Sequence, residues 1–313
     1  MATDLARRER LLLGLAFAAV YLIWGSTYLA IAFAIQSIPP LLMAAMRFLI
    51  AGGALYAWAR LRGAPRPRPV QWGWAFFLGA LFFLVGNGAV VWVEQSVPSG
   101  LVALIVALVS VWTAILEWAR PGGARPSGMV MGGIVLGFGG VALLVLPGQA
   151  SGGHVAASGV LLLMASTFCW ALASVLARTA DLPPSAPQVS GMEMLAGGVL
   201  LFVASLLHGD PQRVDPTGVT LRSAGSLLYL VIFGSLVTFT AFAWLLQVST
   251  PSKVATAGYV NPMVAVVLGW ALGGESLTPR AVAASLVIVL AVVLIITGRE
   301  FSLSRLRPAA RSR

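Results

Sequence analysis

The chain has 313 residues, of which 59% are hydrophobic and only 10% charged, with a mean hydropathy of +0.92. A soluble domain carries about a quarter charged residues, so this composition excludes a water-soluble enzyme of this size; it excludes a disordered chain as well. The net charge of +10 would suggest nucleic acid on a soluble surface, but here the basic residues punctuate long apolar runs and point to membrane topology.

A bilayer core about 30 Å thick takes about 20 apolar residues per helix. Ten runs meet that length in chain order: about 11–34, 40–59, 72–92, 99–118, 128–146, 157–177, 188–207, 224–245, 253–272 and 280–297. They predict an all-α polytopic membrane protein whose connections are too short for a separate globular domain. The first run is too long for the apolar core of a cleaved signal, about 7–15 residues, and is read as a span.

Ten crossings put both ends of the chain on one side. The basic residues at 7–10, 60–68, 120–125, 178, 253 and 299–313 then share that side, sixteen in all. Arg213, Arg222 and Arg280 lie on the other, and Arg47 lies within a span. Such a bias over short loops predicts cytoplasmic termini.

The two halves of the sequence carry matched markers. Trp24 and Trp170 are 146 residues apart, as are Arg47 and Glu193. Pro98 and Pro251 are 153 apart, as are Pro126 and Pro279, and the offset grows where the second half has its longer loop, about 208–223. Residues 1–150 and 151–313 therefore read as two copies of a five-span unit, the second ending in a basic tail. Five is odd, so the second copy threads the membrane in the opposite sense. Inverted repeats of this kind hold a solute site near the midplane between them and work as secondary transporters.

The chain resembles the EamA-type members of the drug/metabolite transporter superfamily over essentially its whole length. The resemblance is carried by Trp24-Gly25-Ser26-Thr27, Arg47-Phe48, Gly86-Asn87, Glu94 and Val97-Pro98-Ser99-Gly100. Tyr259-Val260-Asn261-Pro262 and Gly273-Gly274-Glu275 complete it. It implies a ten-helix inner-membrane protein of two EamA repeats that exports amino acids, other small metabolites or toxic compounds. Family members often carry proline in the middle of span 4, where Ser110 stands here, whereas Pro262 keeps a helix kink in span 9.

Charges within a membrane are costly and are functional or paired. Arg47 lies about 10 Å into its helix at 1.5 Å per residue. It either attracts a carboxylate, gates the outer side with Glu94, or clamps the structure by pairing. Glu94 closes span 3 and is gating or merely interfacial. Glu193 couples a proton or pairs with a basic residue near the inner face. Glu117 is expected to pair with Arg120 along its own helix. Asp4, Asp181, Asp210 and Asp215 all fall outside the spans, which argues against a carboxylate cage for a metal ion. Cys169 alone builds no metal centre, and His154 and His208 read as solvated loop residues without a role.

The polar and aromatic span residues suggest the substrate. Trp24 and Tyr28 share one helix face; Asn87, Ser110, Trp112, Trp170, Thr240, Trp244, Tyr259 and Asn261 lie within other spans. A cavity lined by Trp and Tyr with a few amides and hydroxyls suits a neutral amphipathic solute, and its rings suit an ammonium group. Helix packing alone would explain the same residues. Gly132, Gly133, Gly137, Gly139 and Gly140 crowd span 5 and permit close helix approach within the chain or between protomers.

There is no phosphate-binding Gly-x-x-x-x-Gly-Lys-Ser/Thr loop and no hydrolase or metalloprotease motif, so neither ATP hydrolysis nor an enzyme is expected. The reading is an exporter of small neutral metabolites, chiefly amino acids, by alternating access. Multidrug efflux is the alternative within that class and a passive channel the alternative outside it. The expected partners are a small-molecule substrate and the lipid bilayer, with proton coupling open, as monomer or homodimer; no nucleic acid and no cofactor are expected.

Overall fold

A computed structural model describes residues 11–120, 125–145, 157–249 and 251–305, among which there is no strand. Among the described residues nine helices are long and apolar enough to cross a membrane. They are α1 (Leu11–Ala34), α2 (Pro40–Leu61), α3 (Pro69–Val93), α4 (Ser99–Ala119), α6 (Ala157–Leu176), α7 (Ala186–His208), α8 (Leu221–Phe242), α9 (Lys253–Gly273) and α10 (Pro279–Gly298). A shorter apolar helix, α5 (Gly128–Leu144), brings the number to ten. Residues 146–156, where the two halves join, lie outside the described residues, and so does His154. The side where α1 starts is called the terminal face below, and the other the opposite face.

Proline and glycine set several helix ends. Pro40, Pro69 and Pro187 sit at the first or second helical position, where a missing N–H costs nothing. Gly63, Gly209 and Gly274 follow α2, α7 and α9 with φ of 88°, 79° and 69°, the left-handed conformation that closes a helix and that only glycine adopts without strain.

Helix pairing displays an internal twofold. The most extensive contacts join equivalent helices: α2 runs along α7, and α5 along α10. The others come in matched sets, α1 on α8 with α6 on α3, and α1 on α9 with α6 on α4. Because each half crosses five times, the operation that exchanges the halves also turns them over.

Lipid tails are as apolar as leucine, so these contacts rest on close packing rather than on escape from water. At the α2–α7 crossing Gly52 and Gly191 bring backbone onto backbone. A Cβ on Gly191 would lie 2.6 Å from the Tyr56 amide nitrogen. In α5, Gly133, Gly137 and Gly140 face Ala291, Ile295 and Ile288 of α10 or Val111 of α4, while Gly132 and Gly139 have open space beside them. The packing of this glycine-rich stretch is thus within the chain on one face.

Charged pairs tie the ends. On the terminal face Arg68 binds Asp181 at 2.5 and 2.8 Å, joining the start of α3 to the α6–α7 loop. Glu117 pairs with Arg178 of the α6 end at 2.7 Å, because α4 and α6 pack side by side there. Both pairs are solvent-exposed, a setting worth about 0.2–1 kcal/mol each. On the opposite face His208 is not a solvated loop residue. It ends α7, meets the edge of Trp92 at 4.9 Å and donates to buried Asp210 at 2.6 Å. Asp210 in turn accepts from the Leu42 amide at the start of α2.

Candidate functional site

One cavity of about 320 Å³ lies between the two halves, walled by α1–α4, α6, α8 and α9. The α1 and α3 walls are helical stripes at i, i+3/i+4, i+7 spacing, the pattern that puts side chains on one face. In α1 the stripe is Trp24, Thr27, Tyr28 and Ile31; in α3 it is Phe83, Gly86, Asn87 and Val90. Ala103, Ala107 and Ser110 serve in α4, and Val254, Gly258 and Asn261 in α9.

Of the residues expected from sequence, Trp24, Tyr28, Asn87, Ser110, Trp170 and Asn261 meet in this cavity, and Arg47 and Pro262 join them. Trp112, Trp244 and Tyr259 do not. Trp112 faces Phe138 of α5 and Phe168 of α6 at 5.3 and 5.4 Å, with its indole N–H buried and unpartnered. Trp244 packs on a small cluster around Val20 and Leu245, and Tyr259 on the main core. Thr240 is exposed and bonds the Leu236 carbonyl of its own helix. Thr27, Ser166, Thr167, Phe239 and Phe242 line the cavity without having been singled out from sequence. Their signal was the one-turn spacing from Trp24 and Trp170, and from Phe239 to Phe242.

The two tryptophans occupy equivalent places. Trp24 donates from its indole N–H to the Gly234 carbonyl at 3.2 Å and contacts Phe239 and Phe242 at 5.5 and 5.0 Å. Trp170 contacts Phe82 edge-on at 5.1 Å. Both backbones that face them are widened turns. Residues Ala80–Asn87 of α3 and Leu230–Val237 of α8 form π-helix, in which bonds reach five residues back. Asn87 donates to the Phe82 carbonyl at 3.2 Å, and Thr238 to the Phe233 carbonyl at 2.7 Å, each bond closing its π segment in the same way. A third π segment, Ala19–Ile23 in α1, is met by Asn261. With its amide oriented to suit its neighbours, the Asn261 nitrogen donates to the Val20 and Tyr21 carbonyls at 3.2 Å each.

Interruptions also mark α4 and α9. Helix α4 breaks at Ala107–Leu108, just before Ser110 and without a proline. Helix α9 breaks at Thr256, six residues before Pro262, and the helix runs on through the proline. Tyr21 and Thr256 share a hydroxyl hydrogen bond of 2.5 Å between α1 and α9 near the terminal face.

Arg47 supplies the one charge among the described lining residues. It is 6% exposed, its Nε donates to Ser235 Oγ of α8 at 3.1 Å, and it lies 4.8 Å over the ring of Phe48. That bond to Ser235 is the only one its guanidinium makes to the described residues. The expected pairing with Glu94 is absent, because the side chain is held toward α8 instead; both Glu94 carboxyl oxygens are buried and unpartnered. Glu193 also forms no ion pair among the described residues and lies away from the cavity.

Near the opposite face the lining residues Ile31 and Ala103 are 2% and 0% exposed. Glu275, in the α9–α10 loop, straps that end. Its carboxylate accepts from the Ser99 amide at 2.7 Å, the Ser99 hydroxyl at 2.6 Å and the Gly100 amide at 3.1 Å, at the start of α4. At the other end Ala255 lines the cavity and is exposed, so the cavity reaches toward the terminal face.

The EamA-like transporter family model matches residues 12–146 and again 157–297. The chain belongs to this family. It is a multi-pass membrane transporter and not an enzyme. The inner membrane transporter YedA of Escherichia coli (strain K12) is 38% identical over 284 residues, covering 90% of this chain and 89% of its own. A probable amino-acid metabolite efflux pump of Salmonella typhimurium is 25% identical over 287 residues, covering 89% and 93%. A solved crystal structure 20% identical to the chain superposes with a TM-score of 0.61 over 91% of this EamA protein and 97% of its own chain, which shows a shared fold.

Proposed function

We propose that the protein is a secondary exporter of small neutral metabolites, with amino acids as its main class, working by alternating access in an inner membrane. The observation that carries this is the cavity wall itself: a guanidinium with unfilled donors, aromatic rings from both halves, and no acidic residue among the described lining residues. A carboxylate suits Arg47, and an ammonium or apolar side chain suits the faces of Trp24, Phe239 and Trp170. An amino acid presents both. A toxic cation would meet Arg47 with no counter-charge, which disfavours drug efflux. The names of the efflux-pump relatives agree with this reading.

The sixteen-to-three basic bias assigns the terminal face to the cytoplasm. A cavity sealed on the other side is then in its loading position, and a sealed cavity fits alternating access better than a continuous pore.

Purified protein in liposomes tests the proposal by counterflow of labelled amino acids across a neutral panel, without ATP. Saturable flux stimulated by unlabelled substrate on the far side is expected. Ohmic conduction would identify a pore, and a panel with no flux above empty vesicles would remove the amino-acid assignment.

Trp24→Ala and Trp170→Ala are each expected to raise KM about tenfold, because one ring face is worth about 0.5–2 kcal/mol to a bound cation. Trp112→Phe is expected to leave KM unchanged and stability equal or higher. It removes a buried N–H that has no partner while keeping an aromatic ring between Phe138 and Phe168. A rise in KM for Trp112→Phe equal to that of the other two would place the solute elsewhere.

A further inference from the structure

Glu94 ends α3 at the opposite face with its side chain sealed in protein. It is 7% exposed, and neither carboxyl oxygen has a hydrogen-bond partner or measurable contact with solvent. An ionised carboxylate in such a place is untenable without a partner. The charges that act on it are Glu275, from the α9–α10 loop, and Arg47, from α2; Tyr28 of α1 lies within reach of both Glu94 and Arg47. Helix α6, packed alongside, brings no titratable group to this end, since residues 157–168 contain none. His208 touches Trp92 of the same helix end but is engaged with Asp210.

The two carboxyls are not equivalent. Glu275 accepts three hydrogen bonds, two from backbone amides, which only a group rich in lone pairs can satisfy; it is the charged member. Glu94 accepts none. Arg47 does not compensate it, because no ion pair forms and Arg47 is held by Ser235. A buried, unpartnered carboxyl acted on by an ionised one is itself costly to ionise.

We propose that Glu94 binds the proton that closes the opposite face. With Glu94 neutral, the Glu275 strap holds the start of α4 against the α9–α10 loop. With Glu94 ionised, two like charges oppose each other across the strap and it opens. The step is a protonation alone: a proton from water on the opposite face adds to one Glu94 oxygen, and no other covalent bond forms or breaks. Under the alternating-access reading above, on which the direction rests, each closure takes up one proton from the face that receives the solute, and loss of that proton from Glu94 reopens the strap.

The seal can be probed without any solute. In a Cys169→Ala background, a cysteine at Ile31 lies on the cavity wall beneath the strap, and one at exposed Gln95 serves as reference. A membrane-impermeant maleimide is supplied only to the opposite face of sealed vesicles. The Ile31→Cys labelling rate, divided by that of Gln95→Cys to cancel thiol ionisation, is expected to rise about tenfold from about pH 5.5 to about pH 8.5, a coupling of one pKa unit. With Glu94→Gln the ratio is expected to stay low at every pH. Glu275→Gln guards against a misfolded Glu94 variant: its one amide oxygen still accepts from Ser99, the Gly100 contact and the like charge are lost, and the ratio is again expected to lose its pH dependence. A flat ratio in the parent, or the same rise in both glutamine variants as in the parent, overturns the proposal. Failure of the amino-acid panel would leave this result standing, so the two readings fail separately.

Discussion

Arg47→Met is expected to lower kcat/KM for amino acids about 100-fold, while the matching amines and amides change by less than about threefold. Arg47 leaves donors open toward a solute. Its Nε is fixed by Ser235, so the guanidinium plane is held where Arg47 lines the cavity. Charge-assisted bonds from such a group to a carboxylate are worth about 1.5–3 kcal/mol, and every 1.36 kcal/mol is tenfold. Arg47→Lys keeps the charge but loses the planar fork, and an intermediate loss of about tenfold is expected. Equal losses for amino acids and amines would show that Arg47 only braces α2 against α8. That structural role is real in part, since Ser235 is fully buried and would lose its partner. The comparison between substrates with and without a carboxylate separates the two roles.

Gly191→Val is expected to cost about 3 kcal/mol of stability by overpacking, seen as a melting temperature in detergent about 5–10 °C lower. A Cβ at this position meets the Tyr56 amide nitrogen at 2.6 Å, the Tyr56 Cα at 3.0 Å and the Gly52 carbonyl at 3.1 Å. All three are backbone atoms of α2, so no side chain can turn aside to make room. The α2–α7 crossing must widen, and with it the most extensive contact between the halves. Gly139→Ala is the control. Nothing lies within 4 Å of its Cβ position, and alanine favours helix by about 1 kcal/mol over glycine. A melting temperature unchanged by Gly191→Val would mean that the two helices do not meet there.

The spans and their doubling were legible because a bilayer imposes length and apolarity on every crossing, and those properties are written locally. Half of the cavity wall was legible for a related reason. Trp24 and Tyr28 already showed a one-turn spacing, and extending it to Thr27 and Ile31 would have completed the stripe. Trp112 misled because depth in a helix does not tell which side of it a ring faces; only the neighbours Phe138 and Phe168 decide that. The Glu275 strap joins positions about 175 residues apart, and nothing local to Glu275 or to Ser99 announces the other. The expected Arg47–Glu94 pair failed similarly, since opposite charge in two spans does not announce that Ser235 of a third holds the guanidinium. The π segments were not legible at all, because a wide turn needs no particular residue type. The closing bonds of Asn87 and Thr238 were visible only as two polar residues among apolar ones.

Those wide turns have a consequence for register. A π segment houses one surplus residue in a coil that otherwise advances by 3.6 residues per turn. Deleting a single residue from Ala80–Asn87 would relax the coil to ordinary pitch and swing Gly88–Val93 by about 100° about the helix axis. Val90 would then turn away from the solute and Glu94 away from its seat beside the strap. The bulge thus acts as a spacer that phases the two ends of α3, letting one rod present the correct side to the chamber at mid-depth and to the lock at its tip.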